Sequence, residues 1–177
     1  MKRSEIRLSG SGGQGIILAG IILAEAALLE GKNAVQSQSY GPEARGGASK
    51  SEVIISSESV DYPKVTDPSL VLALTSEAYT KYARGCSAGV VVLVDDSVNT
   101  LLDEGVLSLP IIRTAREELG RPIVANIVAL GAINGVAKLV APESLEKAVL
   151  NRVPKGTEDL NRKALHLGYK LIAESNS

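Results

Sequence analysis

Tryptophan and phenylalanine are absent from this chain of 177 residues, and its aromatics, 3% of the whole, are five tyrosines. The core must be aliphatic, and without Trp or Phe there is no stacking platform of the kind that binders of unpaired bases use. Cysteine and histidine occur once each, as Cys86 and His166. One thiol and one imidazole build no zinc site, iron–sulfur cluster or disulfide framework, so any redox centre is borrowed. An excess of one charge is lacking too: 19 Lys+Arg stand against 20 Asp+Glu, a net charge of −1. No global field gathers polyanions, and nucleic acid is not an expected partner. Lys2 and Arg3 are followed by no apolar segment, unlike a secretory signal. The longest apolar run, Ile16 to Leu29, is broken by Gly20 and Glu25, and it falls short of the ~20 residues that a membrane-spanning helix needs. The expectation is one domain over residues 1–177, cytoplasmic and without membrane insertion.

What is present reads as alternating strands and helices. Ile6–Ser9 is a short strand that enters GSGGQG, and the apolar helix Ile16–Leu29 begins where the glycines stop. With only Glu25 charged, that helix is either covered on nearly all sides or docked on a partner. Gly31 stops it, and Asn33–Ser39 follows as a second strand, so a βαβ unit with a parallel pair is implied. Ser51–Ser56 and Leu70–Leu74 are further strands, the first open to an antiparallel setting, and Ser76–Arg84 is a helix. GVVVLVD, Gly89–Asp95, suits a central strand buried on both faces. A last short strand is placed at Leu109–Arg113, followed by helices over Pro122–Leu139, Pro142–Arg152 and Thr157–Glu174. The order is that of an α/β fold, a three-layer α/β/α sandwich on a mainly parallel sheet with a Rossmann-like start.

Gly10, Gly12 and Gly15, with Gly13 and Gln14 between them, satisfy GxGxxG after a strand and at the head of a helix. Such a loop either offers backbone amides to an anion or serves as a tight turn for close helix–sheet packing. A dinucleotide fold also needs an acid at the end of the second strand, where Gln38 and Ser39 stand. A Walker A loop is excluded because Ile16 and Ile17 follow Gly15 in place of Lys and Ser or Thr. The alternative the loop leaves open is a free-standing nucleotide- or flavin-binding module. Tyr40–Ser49, within SYGPEARGGAS, must be a loop, since glycines and a proline bracket Glu43 and Arg45. An Arg so placed can present its guanidinium fork to a carboxylate or phosphate, with Lys50 as a second positive charge. The plainer reading is a surface ion pair between Glu43 and Arg45.

GSGGQGIILAGIILAEAA, then SYGPEARGGASKSEVIIS and the Tyr62-Pro63 step, resemble the gamma subunit of 2-oxoacid:ferredoxin (or other acceptor) oxidoreductases, most closely those acting on 2-oxoglutarate. The motifs cover the first third of the chain, and the rest agrees in length and layout. Related branches act on pyruvate, branched-chain 2-oxoacids and indolepyruvate. The resemblance implies a complex that decarboxylates a 2-oxoacid on thiamine diphosphate, passes electrons through iron–sulfur clusters to ferredoxin or another carrier, and forms an acyl-CoA. It implies alpha, beta and delta-type partners that hold thiamine diphosphate, Mg and the clusters, with no cofactor on this chain alone and CoA as co-substrate. Arg45, Glu43 and Lys50 then become an anion contact for the 2-oxoacid or CoA in a shared site, and no catalytic residue is expected here. Whether the isolated chain pairs with a second copy is left open.

Four other groups stand outside these motifs. Cys86, in RGCSAG, reads as an inert small residue rather than a reactive thiol activated by Arg84. His166 reads as a solvated flank of the last helix, and the Asp95-Asp96 pair as a cap for the next helix. Asn126 and Asn134, in a mostly apolar helix, need hydrogen-bond partners if buried.

Overall fold

The computed structural model of this chain describes residues 3–39, 48–100 and 105–175. Arg3–Gly10 alternates apolar and polar residues and forms β1. It leads through the glycine loop into α1, Ile16–Leu29, which ends at Glu30 and the left-handed Gly31, φ 71°. Strands β2 (Asn33–Gln38), β3 (Ser49–Ser56) and β4 (Leu70–Ala73) follow, then α2 (Ser76–Tyr82), β5 (Val91–Asp95) and β6 (Val106–Leu109). Helices α3 (Ile111–Glu117), α4 (Ala125–Ala137), α5 (Pro142–Arg152) and α6 (Glu158–Ser175) complete the described chain, with a 3₁₀ turn at Pro122–Val124.

The strands form one mixed sheet in the order β2-β3-β1-β4-β5-β6. The chain thus has the expected α/β fold, with β4, β5 and β6 parallel to β1 and β3 antiparallel to it. The parallel pair implied for β1 and β2 does not form. The two run in the same direction, but β3 lies between them and pairs with both. The segment SEVIIS carries the reason: Val53 and Ile55 are apolar enough to be buried inside the sheet, whereas NAVQSQ is half-polar and suits an edge. The last strand is also displaced, from Leu109–Arg113 to Val106–Leu109. Pro110 has no N–H to continue the ladder, and Ile111 instead opens α3. The Asp95 carboxylate fixes that helix start, accepting from the Ile112 N–H at 2.8 Å.

β5 is an interior strand, buried on both faces as its β-branched run requires. Leu93 joins the larger core with Ile6, Leu8, Val53 and Leu72, while Val92 and Val94 face α2 with Val71, Ala73 and Tyr79. The two layers are unequal. The larger core takes residues from α1, α3, α4, α5 and α6, and among the described residues α2 alone supplies helix residues to the smaller one. α1 packs on β1, β2 and β3 on one side and on α5 on the other, so its burial is satisfied largely within the chain. Gly20 lets it come close: a Cβ there would meet the Ser51 Oγ at 2.1 Å. Gly131 and Gly168 do the same for α4 against α6, since a Cβ on either would strike the backbone of the other helix.

On the α2 face, β1 and β3 carry charge where a covered sheet would be apolar. Arg7 Nε donates to Glu52 Oε1 at 2.7 Å across the strand pair. Glu5 is buried, and its Oε2 accepts from the N–H groups of Thr66 and Asp67 at 2.7 and 3.0 Å. Burial works to raise the Glu5 pKa, but the amides of Asp67 and Thr66 and the Arg3 guanidinium outweigh it and hold the carboxyl below its ordinary range. The carboxylate thereby clamps the β3–β4 connection against the sheet.

Candidate functional site at the carboxyl edge of the sheet

β1 delivers Gly10 to the carboxyl edge, and the loop Gly10–Gly15 turns the chain onto the larger-core face. β4 ends beside it, with Leu74 N–H donating to Ser9 O at 3.0 Å, and its helix α2 leaves on the opposite face. This is a switch point of the sheet, where α/β folds bind ligands. By register, Ser49 stands opposite Gly10 and Gln38 opposite Ser51. Both ends of the Glu43/Arg45 loop therefore rise from this edge beside the glycine loop. Glu43 and Arg45 themselves lie outside the described residues.

Within the loop each glycine has its own reason. A Cβ on Gly10 would meet Gln14 Oε1 at 2.4 Å, because the Gln14 side chain folds back to accept from the Ser11 N–H at 2.7 Å. Gly13 and Gly15 have φ of 84° and 72°, in the left-handed region. Gly15 is also enclosed, since Asn126 Nδ2 donates to its carbonyl at 3.2 Å and would lie 2.5 Å from an added Cβ. Gly12 faces open space. The loop thus satisfies part of its own donor set with Gln14 and is locked from behind by Asn126. No side chain caps the N-terminus of α1, and its first turn has no acidic residue. Beside Gly15, Leu18, Ile123 and Ile127 line a largely apolar cavity of about 220 Å3. β2 is two strand positions from β1, so even an acid at its end would be displaced by about one extra strand spacing from the ribose position of a dinucleotide fold.

Lys50 is on the α2 face of β3, paired in register with Ser9. Its ammonium lies 3.3 Å from Glu52 Oε1 and 5.7 Å from the centroid of the Tyr82 ring. It shares Glu52 with Arg7. The Lys50–Glu52 spacing in KSEVIIS puts both on one strand face, so that pairing was readable in the sequence. Tyr82 and Asn126 were not readable as site neighbours, because only the packing of α2 and α4 brings them there.

The remaining candidates are occupied structurally. Cys86 is half-buried, with Sγ 3.9 Å from the Tyr82 carbonyl. Burial pushes its thiol pKa up, against an opposing pull from Arg7 rather than from the neighbouring Arg84. His166 is exposed on α6, 3.5 Å from Glu146. Asp95 caps α3 and Asp96 pairs with Arg113 at 2.8 Å. Asn134 is satisfied by the Val140 carbonyl and N–H and by the Tyr169 hydroxyl. No helix among the described residues is long and apolar enough to cross a membrane.

The sequence profile described as pyruvate ferredoxin/flavodoxin oxidoreductase matches residues 5–171. The 2-oxoglutarate synthase subunit KorC of Methanocaldococcus jannaschii is 53% identical, over 97% of this chain and 95% of its own. The crystal structure of the gamma subunit of a keto/oxoacid ferredoxin oxidoreductase from Geobacter sulfurreducens superposes with a TM-score of 0.88 at 52% identity, covering 98% of both chains. The 2-oxoglutarate:ferredoxin oxidoreductase of Magnetococcus marinus, solved with 2-oxoglutarate, coenzyme A and succinyl-CoA bound, matches with a TM-score of 0.86 at 25% identity, over 98% of this chain but 32% of that one. The glycine loop at the carboxyl edge, the mixed six-stranded fold and these likenesses agree. The chain belongs to the pyruvate ferredoxin/flavodoxin oxidoreductase family, as a gamma-type subunit of a 2-oxoacid oxidoreductase.

Proposed function

We propose that this chain is the gamma subunit of a thiamine diphosphate-dependent 2-oxoglutarate oxidoreductase, which converts the 2-oxoacid and CoA to acyl-CoA and CO2 while passing two electrons to ferredoxin or another acceptor. The end-to-end likeness to a 2-oxoglutarate synthase subunit carries this reading. The chain is one gamma-type domain that completes a cytoplasmic assembly with alpha, beta and delta-type subunits. It does not fit an iron–sulfur cluster: it has one cysteine and one histidine, and no three of His, Cys, Asp and Glu gather among the described residues. The clusters are therefore assigned to the partners, and thiamine diphosphate and Mg are assigned there on the family resemblance, where the cofactor would supply the decarboxylation chemistry.

This chain's own part is electrostatic. Arg45, with Glu43 and Lys50, adds an anion contact at the carboxyl edge for the 2-oxoacid carboxylates or the CoA phosphates. Arg is suited to that work because its planar fork donates two parallel hydrogen bonds. The glycine loop is architectural in this reading, its turn held by Gln14 and Asn126.

Affinity-tagged chain purified from its native source tests the assignment. It should emerge with larger partners, with thiamine diphosphate by fluorescence assay and with iron and acid-labile sulfide. Emergence alone, with micromolar affinity for NAD(P) or FMN, would overturn it in favour of a free-standing nucleotide-binding module.

A further inference from the structure

The charges on the α2 face do not balance locally. Arg7, Glu52 and Lys50 share one carboxylate between two cations. Arg7 holds it at 2.7 Å and Lys50 at 3.3 Å, both on the same Oε1. Side-chain exposures of 19%, 9% and 23% for Arg7, Glu52 and Lys50 show that the cluster is largely withdrawn from water. Withdrawn charges attract strongly, so the shorter Arg7–Glu52 contact makes a fixed pair. Among the described residues, the cluster thus keeps one excess positive charge, and Lys50 is the more distant of its two cations. What else faces its ammonium is the Tyr82 ring at 5.7 Å, a ring that also has the Lys81 ammonium 5.3 Å from its centroid. The Tyr82 hydroxyl is buried and has no hydrogen-bond partner among the described residues. A buried phenol without a partner is costly, so packing and the ring's negative face, rather than the hydroxyl, account for an aromatic ring here.

We infer that Tyr82 is a positioning residue for Lys50. Its ring holds the ammonium, the more loosely paired cation of the positively charged Arg7–Glu52–Lys50 cluster, ready for an anionic group, carboxylate or phosphate. This rests on the proposed anion-binding role of Lys50 and goes beyond it. The ring restrains the flexible lysine without neutralising it, which a second carboxylate would do. An arriving anion then meets a charge already in place.

The test uses the assembled complex, with KM for the 2-oxoacid and for CoA measured separately from kcat. Lys50→Ala should raise the KM of whichever substrate brings the anion. Tyr82→Leu should raise the same KM about threefold to tenfold with kcat unchanged, the size expected for a cation–π contact between the exposed and desolvated limits. Tyr82→Phe, which keeps the ring and drops only the unpartnered hydroxyl, should restore it. Should Tyr82→Leu fail to assemble, pentafluorophenylalanine incorporated at position 82 keeps the shape and reverses the ring's charge distribution, and it should raise KM likewise. If Lys50→Ala leaves both KM values unchanged, the anion role of Lys50 falls, and this inference with it. If Lys50→Ala raises KM while the Tyr82 variants change only the melting temperature, Tyr82 is a packing residue and the inference alone is overturned.

Discussion

Leu23→Asp is expected to abolish the folding of this chain, not merely its assembly. Leu23 is completely buried in the larger core, on the side of α1 that meets the sheet, with Ile22, Ala26 and Ala27 buried beside it. The substitution removes a packed isobutyl group and leaves a carboxylate with no partner among aliphatic side chains. Each effect costs about 2–5 kcal/mol, against a total stability of ~5–15 kcal/mol for a domain of this kind. Thermal melting followed by circular dichroism should show no cooperative transition. Ile21→Asp is the internal control. Ile21 is half-buried, on the stripe that continues through Glu25 to the exposed Leu28. Glu25 on that stripe already carries a charge and is met by Asn151 and Arg152 of α5. The Ile21 variant should keep a cooperative melt, and equal loss in both would mean that α1 is buried on all sides.

The second large effect concerns Arg45. Replacing it with alanine should lower kcat/KM of the assembled complex about tenfold to a hundredfold, the range for losing charge-assisted hydrogen bonds of about 1.5–3 kcal/mol. Assembly should be intact. Arg45→Lys should recover only part, because an ammonium supplies charge without the two-pronged geometry. A surface ion pair with Glu43 predicts otherwise: less than ~1 kcal/mol of stability lost and no kinetic change. Separate values for the 2-oxoacid and for CoA would show which anion Arg45 meets.

Much of the fold was readable because local signals were strong. The bounds of α1 are set by Gly15 and Gly31, and those of α5 by Pro142 and the approach to Pro154. GVVVLVD could only be a strand buried on both faces. Where reading failed, the deciding contacts were remote. Nothing between Gly10 and Asn33 announces that β3, arriving later in the chain, will insert beside β1. The displaced last strand reflects Pro110, a local signal, whose missing N–H ends the ladder at Leu109. The site shows the same division. The glycine motif and the Lys50–Glu52 alternation are visible in the chain, whereas Asn126 reaches Gly15 across 111 positions. Only tertiary packing could place it there.

On the proposed function, this chain is an inactive subunit required by a 2-oxoacid oxidoreductase. The most direct measurement is 2-oxoglutarate- and CoA-dependent reduction of a viologen dye by three preparations: the chain alone, the partner subunits alone, and the two combined. Turnover is expected in the combined preparation only. Turnover by the chain alone, or full activity from the partners without it, would overturn the proposed function.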